Sequence, residues 1–446
     1  MSGEVRKRAV SALCLVEKGI FSERVLDTYL GKDSGLSDED RRLCAEILFG
    51  VLRRRLTLDH VLSRFVKKPL GETDSFVANA LRAGAYQILY LDRVPDHAAV
   101  YETVEAVKGE RGKSVAGFVN GVLKNVARQG KGLLEGDLPR SVRYSLPEWM
   151  MELVERYLPA EDAEEFFRKS LEKPGRFVRL SGGREREARE SLSAEGVSLI
   201  PHPCVEGIYA LEFPGPVERL RAFKDGLITM QDPGSFLVAK AVASLSSEHF
   251  PDGGKFLDAC AAPGIKASFL REALPAWALM ANEPYRERMR EMERNFKRLN
   301  LGGIALNTVD FTKEPPAGLV GIFDVVFVDT PCTGLGVMRR NPEVKWRVLP
   351  EDAGRFARKS RAIVQNALLC LRPGGILFYS TCTITPEENE GVVESSAKEE
   401  GVQVLPLTPS VDGEGFIQYD GRYLVTRPGK IEGDFFFLAA LRKGGE

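Results

Sequence analysis

Apolar positions in the first 135 residues recur at the spacing of an α-helix. Val5, Ala9, Leu13 and Val16 fall on one stripe of the segment 5–19. A second segment begins after Ser37, a residue type that favours the first, capping position of a helix. The pattern predicts a compact helical bundle with no fixed repeat. The remaining helical segments, separated by short Gly, Pro and Asp breaks, are 37–56, 75–91, 97–108 and 115–128.

The middle of the chain has a different texture. Residues 128–141 are rich in glycine and charge and are predicted to form a linker. Helical patterns follow at about 147–171. Short apolar strands at 175–181, 197–202 and 208–213, with a charged helix at 184–196, then predict a small α+β domain that ends near residue 230.

From about residue 231, predicted strands alternate with predicted helices. This alternation is typical of right-handed βαβ units in a mostly parallel, Rossmann-like sheet, which binds ligands at the carboxyl ends of its strands. The predicted domains are therefore 1–140, 141–230 and 231–446. The strands are predicted at 255–260, 277–283, 304–309, 323–329 and 375–381, and the helices at 266–274, 285–300 and 351–371.

Composition limits the class of protein. The chain has 446 residues, 43% hydrophobic and 28% charged, which is typical of a soluble globular protein. It has no apolar run long enough for a membrane span and no signal-peptide pattern. Seven cysteines without a CxxC pair favour reduced thiols in the cytoplasm, and the four histidines show no metal-ligand spacing. We expect a cytoplasmic monomer with no metal.

Charge is distributed unevenly along the chain. Residues 1–145 contain 24 lysines and arginines against 19 acidic residues, whereas the remainder contains 38 against 44. A basic module joined to an acidic one is consistent with an anionic partner for the first. Ordinary solvated helix faces explain the same charges equally well.

Polar or reactive groups follow each predicted strand of the last domain. Asp258 precedes a turn of small residues, where backbone N–H groups can approach a cofactor closely, and Glu283 stands where a carboxylate can bind ribose hydroxyls. Asp310, Asp329 and Cys382 end or follow the other strands. A nicotinamide cofactor would use the same topology, but the turn lacks GxGxxG. The pattern favours S-adenosylmethionine.

Two cysteines at such strand ends narrow the chemistry. A thiolate that adds to carbon 6 of a pyrimidine makes carbon 5 nucleophilic enough to accept a methyl group. Cys332 lies in a Pro-Cys-Thr-Gly turn and Cys382 between two threonines, and neither setting suits a core residue. Asp329 is the candidate acid at ring N3. The residues alone leave open which cysteine attacks, and a Pro-Cys turn is the attacking site in DNA cytosine methyltransferases.

Four stretches carry a resemblance to RNA cytosine-5 methyltransferases: DACAAPGIK, ANE, DTPCTGLGVMRRNPEVKW and YSTCTITPEENE. The helical N-terminal region resembles the NusB-type RNA-binding fold. Together they resemble the RsmB (Sun/Fmu) family over nearly the whole chain. The resemblance implies a multidomain α plus α/β fold: an all-helical NusB-like bundle, a small α+β middle domain and a Rossmann-like S-adenosylmethionine-dependent methyltransferase domain.

The resemblance also implies an activity and its residues. The activity is methylation of one cytosine of 16S ribosomal RNA, with Cys382 as the nucleophile and Cys332 assisting product release. Asp329 and Lys266 complete the predicted catalytic set. The predicted cofactor-binding residues are Cys260, Ala261, Ala262, Pro263, Gly264, Ile265, Lys266, Glu283, Arg288, Asp310 and Asp329.

The cofactor loop departs from the family pattern. The family usually has Gly-Gly-Lys-Thr where this chain has Gly264-Ile265-Lys266-Ala267. Ile265 adds bulk near the ligand and Ala267 removes a hydroxyl. Lys266 is retained, and we expect it to reach either the target base or the active-site carboxylate.

Basic and aromatic residues provide candidate RNA contacts. Arg339, Arg340, Lys345 and Trp346 follow the Cys332 turn and could hold phosphates and stack a base. The alternative is a solvated loop anchored by Trp346. A solvated face is likewise the alternative to RNA binding at the basic residues of the N-terminal region, which are Arg6, Lys7, Arg8, Arg53, Arg54 and Arg55.

Two other functions remain open at this stage. One is the same chemistry on transfer RNA, because RNA recognition is spread over shape and phosphate contacts. The other is a non-catalytic, NusB-like RNA-binding regulator. The intact Asp329, Cys332 and Cys382 count against the regulator.

Overall fold

The computed structural model describes residues 3–31, 35–213, 215–408 and 415–445. The chain divides into two compact units. The first, which we call the helical unit, comprises 1–152, 167–173 and 338–347. The second, which we call the sheet unit, comprises 153–166, 174–337 and 348–446. The segment 338–347 therefore packs with helices that precede it by some 200 residues in sequence, although it directly follows the Cys332 turn.

The helical unit is the bundle that the apolar spacing predicts. Ser37 caps its third helix by accepting a hydrogen bond from the backbone N–H of Asp40, as predicted. The central helix of the bundle, residues 75–90, is buried along almost its whole length. The helices are α1 (Glu4–Glu17), α2 (Ser22–Thr28), α3 (Asp38–Arg53), α4 (Arg55–Ser63), α5 (Ser75–Tyr90), α6 (Asp96–Gln129) and α7 (Arg140–Arg143).

Helix α6 combines two helices that the sequence predicts separately. Its backbone leaves the helical conformation at Gly112, where φ is 83°. A positive φ is readily adopted only by glycine, so the chain bends there without strain. The bend gives α6 two arms, 96–111 and 113–129.

Helices α8 (Glu148–Tyr157) and α9 (Ala160–Lys169) follow, and after them the sheet unit contains a small antiparallel sheet. Its strand order is β2-β3-β1-β4, and Ala188 and Leu192 of helix α10 pack in its core. These are the predicted elements of the middle segment, with β4 added. Their bounds are β1 (Phe177–Leu180), α10 (Glu185–Ala194), β2 (Ser198–Pro201), β3 (Ile208–Glu212), α11 (Arg221–Lys224) and β4 (Ile228–Met230).

The remaining elements build a larger sheet. The predicted strands and helices are present, and further elements appear at 233–249, 344–347, 390–396 and 402–443, where none was predicted. The elements are α12 (Pro233–His249), β5 (Lys255–Asp258), α13 (Ile265–Ala273), β6 (Ala278–Asn282), α14 (Arg286–Arg298), β7 (Ile304–Asn307), β8 (Phe323–Asp329), α15 (Val344–Arg347, in the helical unit), α16 (Asp352–Cys370), β9 (Leu371–Thr381), α17 (Glu390–Ser396), β10 (Val402–Leu405), β11 (Phe416–Tyr419), β12 (Tyr423–Thr426), α18 (Pro428–Ile431) and β13 (Phe437–Lys443).

The order of the large sheet is β11-β12-β13-β9-β8-β5-β6-β7, with β10 also paired to β13. Strands β7, β6, β5, β8 and β9 are parallel, as predicted, whereas β13 runs antiparallel to β9. Strand order reverses between β5 and β8, which is the position where doubly wound sheets bind ligands. Within the described part of the chain, no helix is long and apolar enough to cross a membrane.

Candidate active site

The register of β8 and β9 brings the two cysteine turns together. Asp329, the last residue of β8, is paired with Ser380 near the end of β9. Cys332 lies three residues after the end of β8, and Cys382 directly follows the end of β9. Their Sγ atoms are 3.3 Å apart, and both cysteines are half-buried, free thiols. The two residues that the sequence singled out therefore share one site.

Hydrogen bonds hold the two turns in place. The hydroxyls of Thr333 and Thr383 are 2.6 Å apart. The fully buried Glu388 accepts hydrogen bonds from the backbone N–H and the hydroxyl of Thr333 and from the hydroxyl of Thr385. Burial raises the pKa of Glu388. Glu388 was not predicted as a site residue, because its role depends on which hydroxyl groups surround it in the fold.

Gly336 allows a close approach of three chain segments. Its N–H donates to the carbonyl oxygen of Cys382 at 2.9 Å, and its own carbonyl accepts from the N–H of Phe435. A Cβ at this position would lie 2.6 Å from the Phe435 carbonyl oxygen and 2.7 Å from that of Cys382. The glycine thus fixes the loop after Cys332 against the turn that carries Cys382.

The environment of the pair distinguishes the two thiols. A hydrogen bond with Cys382 is the largest cause that raises the pKa of Cys332 well above its usual range, and burial adds to it. Cys332 therefore retains its proton at neutral pH and can donate it to a thiolate on Cys382. A nucleophile needs the thiolate form, and attack by Cys382 stays a prediction.

An ion pair lies beside the cysteines. Lys266 Nζ is 2.7 Å from Asp329 Oδ2 and 4.8 Å from the centre of the Phe436 ring. Burial lowers the pKa of Lys266, but the charge of Asp329 and the hydrogen bond to it outweigh that effect, and the net pKa is raised. Lys266 is thus a cation. Two targets were predicted for Lys266, the target base and the active-site carboxylate, and in the structure it reaches the carboxylate of Asp329.

A second carboxyl group, Asp258, is fully buried at the end of β5. Its Oδ1 accepts a hydrogen bond from the backbone N–H of Cys260. Burial, with the nearby charge of Asp329, raises the pKa of Asp258 to about 7. The site therefore holds two carboxyl groups and one lysine, and Asp258 is partly protonated near neutral pH.

We expect Asp258 to make stability depend on pH. Its raised pKa means that the folded state binds this proton more tightly than the unfolded chain does. Its stabilising contribution is complete below about pH 4 and is lost as the pH rises through about 7. The free energy of unfolding of the wild type minus that of Asp258→Asn should fall across this window, as measured by urea unfolding. A difference that does not change with pH would contradict this assignment.

The turn after Asp258 presents backbone to the carboxyl edge of the sheet. Gly264 begins α13 with φ of 93°, and a Cβ there would lie 2.8 Å from Phe296 and 2.9 Å from Met292. Asn295 donates to the carbonyl oxygen of Pro263. Burial raises the pKa of Cys260, which keeps that thiol neutral. The predicted loop 260–266 is therefore rigidly held, with its small side chains leaving the backbone accessible.

Glu283 and Arg288 lie next to this loop. The carboxylate of Glu283 is 2% exposed, accepts from the N–H of Tyr285 and pairs with Arg288 at 3.0 Å. Arg288 also donates to the carbonyl oxygen of Ala262, so it links the carboxylate to the turn. Asp310 is exposed, and its hydrogen bonds with Thr312 lower its pKa.

The two residues of the cofactor loop that differ from the family pattern, Ile265 and Ala267, have different structural surroundings. Ala267 is fully buried in an apolar cluster with Ala261, Met292 and Phe296, where a hydroxyl would need a partner. The methyl group thus suits its surroundings. Ile265, the first residue of α13, is half-buried.

Two protein-family models match this chain. A family model described as 16S rRNA methyltransferase RsmB/F matches residues 249–442, and a NusB family model matches residues 3–128. The chain is 30% identical to the probable ribosomal RNA small subunit methyltransferase B of Bacillus subtilis (strain 168), over 99% of each chain. It is 31% identical to ribosomal RNA small subunit methyltransferase B of Citrobacter koseri, over 96% of each.

The chain belongs to the ribosomal RNA small subunit methyltransferase B family. Solved structures support the fold. PH0851 is 22% identical with a TM-score of 0.78 over 99% of both chains. NSun6 from Pyrococcus horikoshii with SFG is 22% identical with a TM-score of 0.56, over 67% of this chain and 99% of that one. The resemblance and the fold class inferred from sequence are confirmed: a NusB domain joined to an S-adenosylmethionine-dependent methyltransferase fold.

The predicted RNA contacts after Cys332 need correction. Lys345 is 2% exposed, and its ammonium donates to the backbone carbonyls of Arg53 and Ser145. The Trp346 indole donates to the carbonyl of Leu52 at 2.7 Å. Arg339 is 8% exposed and donates to the carbonyl of Lys173. Burial against protein partners contradicts the predicted phosphate contacts of Lys345 and Arg339, whereas Trp346 is half-buried and its stacking contact stays a prediction.

These donors cap the end of a helix. The last carbonyls of α3 have no partner inside the helix, and Lys345 and Trp346 supply donors and a positive charge there. The segment is therefore anchored in the helical unit. This resembles the alternative prediction, in which Trp346 anchors a solvated loop. Arg340 is half-buried, and its RNA contact remains a prediction.

We expect Trp346→Phe to destabilise the protein by about 1 kcal/mol, because the ring is kept but a buried carbonyl loses its donor. Urea unfolding monitored by circular dichroism measures the loss. Trp149→Phe is the matched control, since Trp149 is half-buried and its indole has no hydrogen bond among the described residues. Equal stability of the two variants would contradict the capping role.

The basic residues of α1 also have partners. Arg6 donates to the Gln87 side chain, and burial lowers the pKa of Arg6. Lys7 forms an ion pair with Glu110 at 2.7 Å, and its side chain is 42% exposed. Lys7 can reach solvent, whereas Arg6 is held against α5. RNA binding by either residue stays a prediction.

Proposed function

We propose that this protein transfers a methyl group from S-adenosylmethionine to carbon 5 of a cytosine in 16S ribosomal RNA, through a covalent adduct with Cys382. The observation that carries the proposal is the pair of free thiols 3.3 Å apart beside the Lys266–Asp329 ion pair. Membership of the ribosomal RNA small subunit methyltransferase B family supports the RNA substrate.

The residues at the strand ends fit S-adenosylmethionine, which supplies an electrophilic methyl group when bound. The small side chains of the turn 259–264 leave room for a ligand beside the strand ends, and Asp310 offers an exposed carboxylate. Glu283 is positioned at the end of β6 for ribose hydroxyls. Because Arg288 covers that carboxylate, we propose that the Arg288 side chain, 46% exposed, moves aside on binding. The relative solved with SFG, an S-adenosylmethionine analogue, supports this class of cofactor.

The first chemical step uses Cys382 and Asp329. The Cys382 thiolate forms a bond to carbon 6 of the target cytosine, and ring N3 takes a proton from Asp329, which receives it from the Lys266 ammonium across their 2.7 Å hydrogen bond. The ring electron pair moves to carbon 5, which can then form a bond to a methyl group. Lys266, bonded to Asp329, fixes the orientation of that carboxyl group.

The second step releases the product. A base removes the proton from carbon 5, those electrons re-form the carbon 5–carbon 6 double bond, and the Cys382 sulfur leaves as a thiolate. We propose that Cys332 assists this step, because its sulfur lies next to the leaving sulfur and its thiol can donate a hydrogen bond to the departing Cys382 thiolate. Glu388 and Gly336 hold the two cysteine turns against each other, which keeps the two sulfur atoms close together.

Release of tritium tests the reaction directly. Small-subunit ribosomal RNA carrying tritium at carbon 5 of its cytosines is incubated with the protein and S-adenosylmethionine. One tritium should enter water for each methyl group transferred. Methyl transfer without tritium release would exclude carbon 5 as the site of methylation.

Replacement of Glu283 by Ala should weaken S-adenosylmethionine binding by about 1–3 kcal/mol, because hydrogen bonds to a charged group are lost. Calorimetric titration of the full-length protein measures the change. Glu287→Ala is the control, as Glu287 is an exposed carboxylate one residue inside α14. Unchanged affinity in Glu283→Ala would remove Glu283 from the cofactor site.

A further inference from the structure

A groove lies along the bent helix α6 of the helical unit. It has a volume of about 870 Å³ and is lined by residues of both arms of the helix. Val100 and Val104 from the first arm and Gly121 from the second supply apolar surface. This groove is separate from the cysteine site, and no step proposed above uses it.

The second arm presents polar groups to the groove in a regular order. Asn120, Lys124 and Arg128 are spaced four residues apart and so lie on one face of the helix. Asn125 also lines the groove and accepts a hydrogen bond from Arg128. Lys124 is exposed and has no ion-pair partner among the residues that the structure describes.

The first arm supplies an aromatic ring. Tyr101 lines the groove and is 57% exposed, which is unusual for a large side chain. His97 and Asp96 stand at the start of the same arm. The groove thus combines an exposed aromatic ring, two amide side chains and two adjacent cations.

We infer that this groove binds a single-stranded segment of the substrate RNA, with Tyr101 stacking on a base and Lys124 and Arg128 contacting phosphates. Stacking on an aromatic ring beside a row of cations is how proteins hold unpaired nucleotides. The asparagines can bond base edges, and residues 1–145 carry a net charge of +5. The inference rests on the proposed function, because it assigns part of the RNA affinity to this surface.

The groove surface is mostly apolar, and the cations along its second arm are what favour RNA over a protein occupant. A docked helix or a second copy of the chain would require a continuous apolar face. Here the cationic and amide side chains of Asn120, Lys124 and Arg128 run along one side for two turns of helix. A phosphate backbone would complement the positive charge of Lys124 and Arg128.

Replacing Gly121 by a larger apolar residue would fill the groove without changing the charge of its lining. A Cβ added there meets no atom within 4 Å, so Gly121→Leu projects into open space. Leucine favours a helix over glycine by about 1 kcal/mol, so the variant should fold. Gly117→Leu is the matched control, because Gly117 is one turn earlier in α6, also has open space, and does not line the groove.

Fluorescence anisotropy with full-length protein and labelled small-subunit RNA fragments measures the effect. Gly121→Leu and Tyr101→Ala should each weaken binding by about tenfold, as expected when one stacked base is lost, while Gly117→Leu stays near the wild type. Lys124→Gln should weaken binding and reduce the slope of log K against log salt by about one. Turnover at saturating RNA should be unchanged in all four variants, with KM raised in Gly121→Leu, Tyr101→Ala and Lys124→Gln.

Three outcomes would overturn the groove assignment. The first is wild-type RNA affinity in Gly121→Leu and Tyr101→Ala. The second is equal weakening by Gly117→Leu. The third is a change in self-association or protein binding with unchanged RNA affinity, which would make the groove a protein-docking surface. Failure of the proposed function looks different, because the wild type would then bind RNA and release no tritium.

Discussion

Cys382→Ala is expected to form neither 5-methylcytosine nor a denaturation-resistant complex with RNA. Removing the nucleophile removes the only route to the carbon 6 adduct, so the rate should fall by at least about a thousandfold. Cys332→Ala should behave differently. It retains attack and methyl transfer but lacks the thiol beside the leaving sulfur, so the adduct should accumulate and turnover should be slow.

Denaturing gel electrophoresis with labelled RNA separates the two variants. Cys204→Ala is the matched control, because Cys204 is a half-buried free thiol of the same unit that plays no part in the site. An adduct in Cys382→Ala and none in Cys332→Ala would assign attack to Cys332. Wild-type protein that forms no complex with RNA containing 5-fluorocytosine would contradict covalent catalysis altogether.

Replacing Lys266 by Met should have the second-largest effect. The variant keeps a side chain of similar length but leaves Asp329 next to Asp258 without a cation. Loss of a charge that orients a reacting group costs about a hundredfold in rate, and breaking the pair should cost about 2 kcal/mol of stability, since Asp329 is about a quarter exposed. The raised pKa of Asp258 should rise further.

Single-turnover rates at saturating RNA and cofactor measure the effect on catalysis. Lys266→Arg is the control, because it preserves the positive charge and should recover much of the rate if charge is what matters. A near wild-type rate in Lys266→Met would show that the ion pair is structural. Equal loss in Met and Arg variants would indicate that the lysine shape, and not its charge, is required.

Much of the fold could be predicted from local patterns in the sequence. The alternation of apolar strands and helices after residue 231 specified a parallel sheet, and Ser37 specified the start of α3, because each depends on neighbours within a few residues. The antiparallel strands at 402–443 were not predicted. Their pairing with β9 and with one another depends on contacts remote in sequence, and three of these four strands have only four residues each.

The site was predictable where chemistry alone restricts the residue. Cysteines at strand ends and a lysine near a carboxylate were recognisable, and the register of β8 with β9 brings the cysteines together. The role of Glu388 was not recognisable, since it depends on which hydroxyls surround it. Lys345 and Arg339 were misassigned because a basic loop has the same composition whether it faces RNA or lies buried against backbone carbonyls.

Mapping of 5-methylcytosine in ribosomal RNA from cells with and without the gene tests the central claim most directly. We expect one cytosine of 16S ribosomal RNA to lose its methyl group when the gene is removed. Wild-type protein should restore the methyl group and Cys382→Ala should not. An unchanged 16S pattern, with the loss found instead in transfer RNA or nowhere, would contradict the proposed function.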